Sequence, residues 1–465
     1  MTGSPYASGW GTVFFVSVAA AAALSWRSCT APEQHAGRHG PDGEFRAFQR
    51  TYLAVYYLAM LADWLQGPYV YALYESYGFS SHDIAVLFVG GFGSSMLFGT
   101  FAGAAADRIG RKKCGLLYAL LYILSCVTKH YKDYSMLMLG RILGGIATSL
   151  LFSTFESWLV CEHNARGYDG AWISRTFSLA YFGNSVAAIL AGVLAEAAAE
   201  LKPLTPSAAG SVVHYGGFTA PFDLSMAVLV LLAVALAALW NENYGSTSSS
   251  ALAKGAPADT LYKALRALAR DRAILLLGAC ISFFEGSMYV FVFKWTPTLS
   301  SGAERPPYGL IFSTFMVLAM CGSSIFGIAS ASYRAESILL VTFVLAAGAL
   351  AIPAVSSSVG INFACFLLFE TCVGAARGRA GARQPRAEPA RTLRPPHRRL
   401  ARRTLTRRPL PAGRRARHAR RPARDRSLLP GDGHAQVPAR AGGGARNGVQ
   451  HLPNPAQSDC ARRAA

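Results

Sequence analysis

Apolar runs of membrane length alternate with short polar breaks along most of this chain. The runs fall at about 10–26, 52–74, 84–106, 114–128, 136–160, 175–197, 220–240, 273–297, 309–330, 337–355 and 359–376. A bilayer core needs roughly 20 apolar residues per helix, so this pattern predicts an all-α polytopic membrane protein. Residues 10–26 have no cation before them and Arg27 after them, which predicts an uncleaved leading helix with its N-terminus outside rather than a signal peptide. The polar stretch 28–46 then connects to a core of six helices over 47–240. Residues 241–272 carry Lys254, Lys263, Arg266, Arg270 and Arg272, as expected of a cytoplasmic linker between two halves. Residues 273–376 give four further helices, an incomplete second half.

The sharpest break lies between the second and third core helices. Asp107 to Lys113 place an acid, four bases and a glycine in seven residues. Gly110 suits a tight turn because glycine enters positive φ freely. The cations fix the loop on the cytoplasmic side, and Asp107 is expected to pair with a nearby Arg or a helix N-terminus. Gly103, Asp107, Arg108, Gly110, Arg111 and Lys112 match the spacing G-x-x-x-D-R-x-G-R-K. This resembles the signature of the major facilitator superfamily, which implies two six-helix halves and a gating role for the loop. The corresponding loop of the second half, 331–336, holds only Arg334 as a base, so any repeat of the signature there is vestigial.

Ionisable groups inside the runs are the candidate chemistry, since such groups are expensive in a membrane and by default face a cavity or a partner. Asp63 lies roughly 20 Å along the first core helix from Arg50, on a helix that also carries Gln66, Tyr69, Tyr71 and Tyr74 and a kinking Pro68. Arg141 enters the fourth helix early, beside Gly140, Gly144 and Gly145. A fixed guanidinium suits an anion; the alternative is a structural Arg paired with Asp63 or another acid. Glu156 sits near the cytoplasmic end of that helix, as a coupling group or in an interfacial ion pair with Arg166 or Arg175. Asn184 is a hydrogen-bond donor or helix–helix glue. Glu285 is mid-span in the seventh helix, and Glu370 lies in the last apolar stretch. Lys294 is either a second cation of the site or a snorkelling side chain.

Composition alters this picture at one place. The chain of 465 residues has a net charge of +20, but residues 377–465 supply +19 of it through 23 Arg, no Lys and four acids. That segment also lacks Phe, Tyr, Trp, Ile and Met. It cannot bury a core and is expected to be disordered. A shifted reading frame in a GC-rich gene is the expected origin. A genuine Arg-rich tail binding nucleic acid or anionic lipid is the alternative, and without it no nucleic-acid partner is expected. The nine Cys are scattered with no C-x-x-C pair, so neither a disulfide framework nor a zinc site is indicated.

Longer strings narrow the resemblance. They are ADWLQGPY (62–69), GRILGG (140–145), LLFSTFESW (150–158), VFKWTP (292–297) and GLIFSTFM (309–316). Together they resemble the eukaryotic molybdate-anion transporter family over about 10–374, and nothing from about residue 377 matches. The resemblance implies uptake of molybdate, with the lipid bilayer as surroundings and the plasma membrane as location. A dianion in a low-dielectric cavity needs cations and donors in place of water. Arg141 and Lys294 are the available cations, with Gln66, Tyr69 and Asn184 as donors. Asp63 balances them at the site, and Glu285, Glu156 and Glu370 are candidates to carry a coupling proton. Rival readings are a facilitator for another small anion or organic solute, or a truncated membrane protein that transports nothing. No nucleophile–base pair, metal cluster or phosphate loop points to an enzyme, and no cofactor is implied. Lacking its last helices, the chain as written is expected to be unstable or inactive. Long-read sequencing of the transcript across the codons for Glu370 to Arg391 checks the frame. A continuing hydrophobic frame is the expected result, and the frame as written would establish the tail as real.

Overall fold

Backbone N–H and C=O groups find no water inside a bilayer, so each apolar run has to close its own hydrogen bonds as a helix. The computed structural model describes residues 5–29, 43–245, 266, 271–300 and 305–382. A leading helix α1 (Pro5–Cys29) precedes α2 (Gly43–Leu65), α3 (Val70–Ser76), α4 (Ser81–Ile109), α5 (Arg111–Thr128), α6 (Tyr134–Ala165), α7 (Gly170–Glu200) and α8 (Ala220–Leu239). Four more follow, α9 (Arg272–Leu299), α10 (Tyr308–Ala329), α11 (Ala335–Ala351) and α12 (Val359–Ala382). Most of the connector 28–46, most of the linker 241–272 and all of the Arg-rich stretch beyond 382 lie outside the described residues.

Eight of these helices, α4 and α6 to α12, are long and apolar enough to cross a membrane. The helix α2 falls short of that measure because tyrosines and polar residues dilute it. It packs against α7 and α8, and Tyr52, Val55, Ala59, Ala62 and Leu65 are wholly buried. A helix in the middle of a bundle shows little surface to lipid and has less need of apolar side chains.

The first core helix is not continuous over 52–74. It starts earlier, at Gly43, and stops at Leu65, and the chain turns through Gln66 to Tyr69 before α3. Pro68 has no N–H to continue the ladder and its ring crowds the preceding turn. The turn is closed instead by Gln66 N–H on the Asp63 carbonyl (3.3 Å) and Gly67 N–H on the Trp64 carbonyl (3.1 Å).

Within the first half α4 and α5 both pack on α6. The α4–α6 crossing is close because Gly145 has no side chain: a Cβ there would sit 2.4 Å from the Gly91 carbonyl oxygen. Small residues at such crossings are how membrane helices approach. The second half packs around the α10–α12 pair, with α11 on α12 and α1 on α10. Trp10 of α1 meets Phe363 edge-on at 4.5 Å. The halves meet where α7 packs on α10. There the Glu196 carboxylate accepts from the N–H groups of Gly309 (2.6 Å) and Leu310 (3.3 Å), at the positive end of α10.

The α4–α5 loop is fastened to the chain just after α8. Gly110 adopts φ 109°. Asp107 pairs with Arg111 at 2.6 Å, and the buried Arg111 guanidinium also donates to the Asn243 side chain (3.2 Å) and the Tyr244 carbonyl (3.3 Å). The Glu242 carboxylate accepts from the N–H groups of Lys112 (2.8 Å) and Lys113 (3.2 Å). An anion at a helix N-terminus satisfies orphan donors and opposes the helix dipole. Trp158 and Trp240 stack behind it at 3.9 Å. Glu242→Ala should therefore cost about 1 kcal/mol and speed amide exchange at Lys112 and Lys113. Gly110→Ala should cost more, because its Cβ would lie 2.5 Å from the Glu242 carboxyl carbon at an unfavourable φ. Unchanged exchange in Glu242→Ala would mean that the carboxylate does not cap α5.

Candidate functional site

Between the two halves lies a cavity of about 1010 Å³. Its walls come from α2 to α8 of the first half and α9, α10 and α12 of the second. Six charged residues line it: Asp63, Lys129, Arg141, Glu285, Glu370 and Arg377. Three are acids and three are bases.

Arg141 reaches the wall because α4 offers glycine beside it. A Cβ on Gly91 would lie 2.6 Å from an Arg141 terminal nitrogen. The Arg141 Nε donates to the Leu87 carbonyl at 3.2 Å. The guanidinium carbon stands 4.7 Å from the Phe88 ring centre and 5.6 Å from that of Phe92, a cation–π cradle. No ion pair of Arg141 occurs among the described residues. In particular Arg141 does not pair with Asp63. The Asp63 carboxylate instead takes the Tyr122 hydroxyl of α5, which also lies 3.2 Å from the Thr148 hydroxyl.

Polar groups of the first half are engaged with one another. The Asn184 side-chain oxygen accepts from Trp64 Nε1 at 2.8 Å. Gln66 Nε2 donates to the Ala62 carbonyl (3.3 Å) and the Ser225 hydroxyl (3.2 Å). Both residues line the cavity. On the opposite wall Glu285 faces Arg377 at 3.5 Å. Glu370 is almost fully buried and lies two turns before Arg377 on the same face of α12. The helix thus carries Arg377 as a wall residue, although composition groups it with the tail.

Three candidates stand elsewhere. Lys294 is exposed, with its Nζ 5.3 Å from the Phe293 ring centre. It does not line the cavity, in keeping with its reading as a snorkelling side chain. Tyr69 is buried outside the lining, against Phe218 (5.6 Å) and Tyr308 (5.9 Å). Glu156 also lies outside it and accepts from the Tyr181 hydroxyl at 3.2 Å. Arg166, one of its two expected partners beside Arg175, pairs with Glu162 at 2.8 Å. Sequence reasoning missed Tyr122 and Lys129. A signal was present: Tyr118, Tyr122, Ser125 and Lys129 recur at three- to four-residue spacing along one apolar helix, a polar stripe on a single face.

The signature residues Asp107, Arg108, Gly110, Arg111 and Lys112 sit at the α4–α5 turn, with Gly103 two turns earlier in α4. The contacts of that turn described above are with Glu242, Asn243 and Tyr244, the first residues of the linker after α8. No group of three His, Cys, Asp or Glu that could hold a metal occurs among the described residues.

A two-halved helical bundle around a central cavity with charged groups in its wall is a transporter architecture, and comparison with known proteins bears on which one. A family model described as sugar transporters with 12 transmembrane helices matches residues 12–369. This chain belongs to the major facilitator superfamily. It is 37% identical to the molybdate-anion transporter of Xenopus tropicalis over 346 residues, which is 72% of each chain. It is 39% identical to the molybdate-anion transporter of Xenopus laevis over 310 residues, 65% of this chain and 64% of that one. Among solved structures, a bacterial homologue of the human lysosomal transporter Spinster, inward-facing and unoccupied, matches with a TM-score of 0.55 at 14% identity. The match covers 74% of this chain and 75% of that one. The nucleoside transporter NupG matches with a TM-score of 0.51 at 12% identity, covering 72% of this chain and 80% of that one. At those identities the likeness is one of fold. The protein is a facilitator-type, multi-pass integral membrane protein.

The α4–α6 crossing decides where Arg141 stands. Gly145→Val should lower the thermal unfolding midpoint by several degrees, since overpacking costs about 1–3 kcal/mol and the obstacles include the Gly91 and Ser95 backbone as well as the Ser94 hydroxyl. Gly93→Ala, whose added methyl meets nothing within 4 Å, should leave it unchanged. Equal midpoints for both variants would refute the close crossing.

Proposed function

We propose that this protein carries molybdate, or a closely similar tetrahedral oxyanion, across a membrane by alternating access. One observation carries the reading: Arg141 presents its guanidinium to the central cavity with no carboxylate partner among the described residues. A half-buried cation in that state, inside a membrane-spanning bundle, calls for an anion. The relatives named as molybdate-anion transporters support the choice of anion.

In this reading the first half (47–240) and the helices of 273–376 rock about the cavity, with 241–272 as their linker. Arg141 holds the anion. Gln66 and Asn184 offer amide groups at its edge, and Asp63 with Tyr122 offsets the positive charge. Lys294, Tyr69 and Glu156 have no direct part, because they stand outside the cavity wall. Glu285 is the first candidate for a coupling proton and Glu370 the second, both on the second-half wall. The loop from Asp107 to Lys112 acts on the cycle by bracing α4 and α5 of the first half. The plasma membrane is the proposed location.

A facilitator for an uncharged solute such as a sugar, as the description of the family model suggests, would leave Arg141 without a ligand. Uptake by vesicles or cells carrying the full chain separates these readings. Arg141→Ala should reduce molybdate uptake by about two orders of magnitude, the scale for removing one partner of a buried charge pair. Unchanged uptake would end the anion-site role. Glu285→Gln should leave uptake measurable with its pH dependence flattened. A retained pH profile would take the proton role from Glu285, and its loss in Glu370→Gln would move that role to Glu370.

A further inference from the structure

Lys129 closes α5, in a stretch that hydropathy assigns to the outer loop. The structure buries it: the residue is 2% exposed. Its Nζ has no hydrogen-bond partner, and no ion pair of Lys129 occurs among the described residues. Asp223, in the first turn of α8, is taken by His130 at 3.0 Å. The ammonium stands over the Tyr74 ring, 5.4 Å from Nζ to centroid. Its backbone is held firmly. The Lys129 N–H donates to the Cys126 carbonyl at 3.0 Å, and its carbonyl accepts the Tyr77 hydroxyl at 2.8 Å.

The side chain points inward, not to the outer surface, and it lines the cavity that Arg141 lines. Gly140 relates the two cations. A Cβ on Gly140 would lie 3.2 Å from Lys129 Nζ, so the ammonium rests against the α6 backbone one residue before Arg141. Any side chain at 140 would also strike the Thr128 hydroxyl. Two cations therefore flank one turn of α6, and neither has a carboxylate.

A buried ammonium bears a desolvation penalty, and among the described residues the Tyr74 ring offsets only part of it. An anionic ligand repays it. A monoanion needs one cation and a dianion needs two. We infer that Lys129 is the second cation of the oxyanion site, sharing a doubly charged tetrahedral anion with Arg141 and setting the preference for dianions over monoanions. This inference rests on the functional reading above and adds a residue and a charge rule to it. It also replaces Lys294, which lies outside the cavity, as the partner of Arg141.

The test is equilibrium binding to the purified full chain in lipid nanodiscs, with two probes of the same tetrahedral shape: molybdate, a dianion, and perrhenate, a monoanion. Lys129→Gln should weaken molybdate binding about tenfold or more, which is 1.4 kcal/mol, and leave perrhenate within about twofold. Lys129→Arg should keep the preference for molybdate. Without anion, Lys129→Gln should unfold at the wild-type temperature or above it, because an unpaired buried charge has been removed. Unchanged molybdate binding in Lys129→Gln, or an equal loss for both anions with a lower unfolding temperature, would overturn the inference and leave the wild-type oxyanion reading standing. Wild-type protein that binds neither anion would overturn that reading, and this one with it.

Discussion

A guanidinium within a membrane-spanning bundle has to be solvated by the protein or by a ligand. That constraint organises this molecule. Arg141 gives one N–H to a backbone carbonyl and its face to two phenylalanines, which leaves its outer nitrogens for the cavity. Gly91 and Gly145 exist as glycines in its service, since a methyl on either would strike the guanidinium or the facing backbone. Two of the three acids of the cavity are committed elsewhere. Asp63 is bonded to Tyr122, and Glu285 faces Arg377. The cavity is balanced in formal charge overall but not locally, and local imbalance is what a charged substrate reads.

The two halves divide the work along the same line. The first-half wall holds the unpaired cations, and the second-half wall holds Glu285, Glu370 and Arg377. Their contact through α7 and α10 depends on close backbone approach, with the Glu196 carboxylate seated on the α10 N-terminus. The braces at the α4–α5 turn lie away from that seam. Arg111 and the Glu242 carboxylate tie α4, α5 and the end of α8 into one body, as suits a half that moves as a unit.

Much of the fold was legible in the sequence because a bilayer leaves few options. The helices, the basic loop at Asp107 to Lys113 and the embedded Arg141 all follow from hydropathy and charge. What was not legible depends on long-range contacts. Nothing local says that Glu242 caps α5 across 130 residues of chain. Hydropathy stops the third core helix at Thr128 and so releases Lys129 to the outer loop, while the Gly140 gap that draws it inward lies on the next helix. Lys294 illustrates the converse: one embedded cation looks much like another in sequence, and only the direction of its helix face separates lipid from cavity. The sequence places Pro68 within a helix as a kink, whereas the turn at Gln66 to Tyr69 ends one helix and starts another.

The most direct test of the oxyanion site uses tungstate as a heavy stand-in for molybdate, located by anomalous scattering in crystals of the full chain. The account predicts a single strong peak in the central cavity, within hydrogen-bonding reach of the Arg141 guanidinium. A cavity free of tungsten under saturating tungstate, or a peak remote from Arg141, would contradict it.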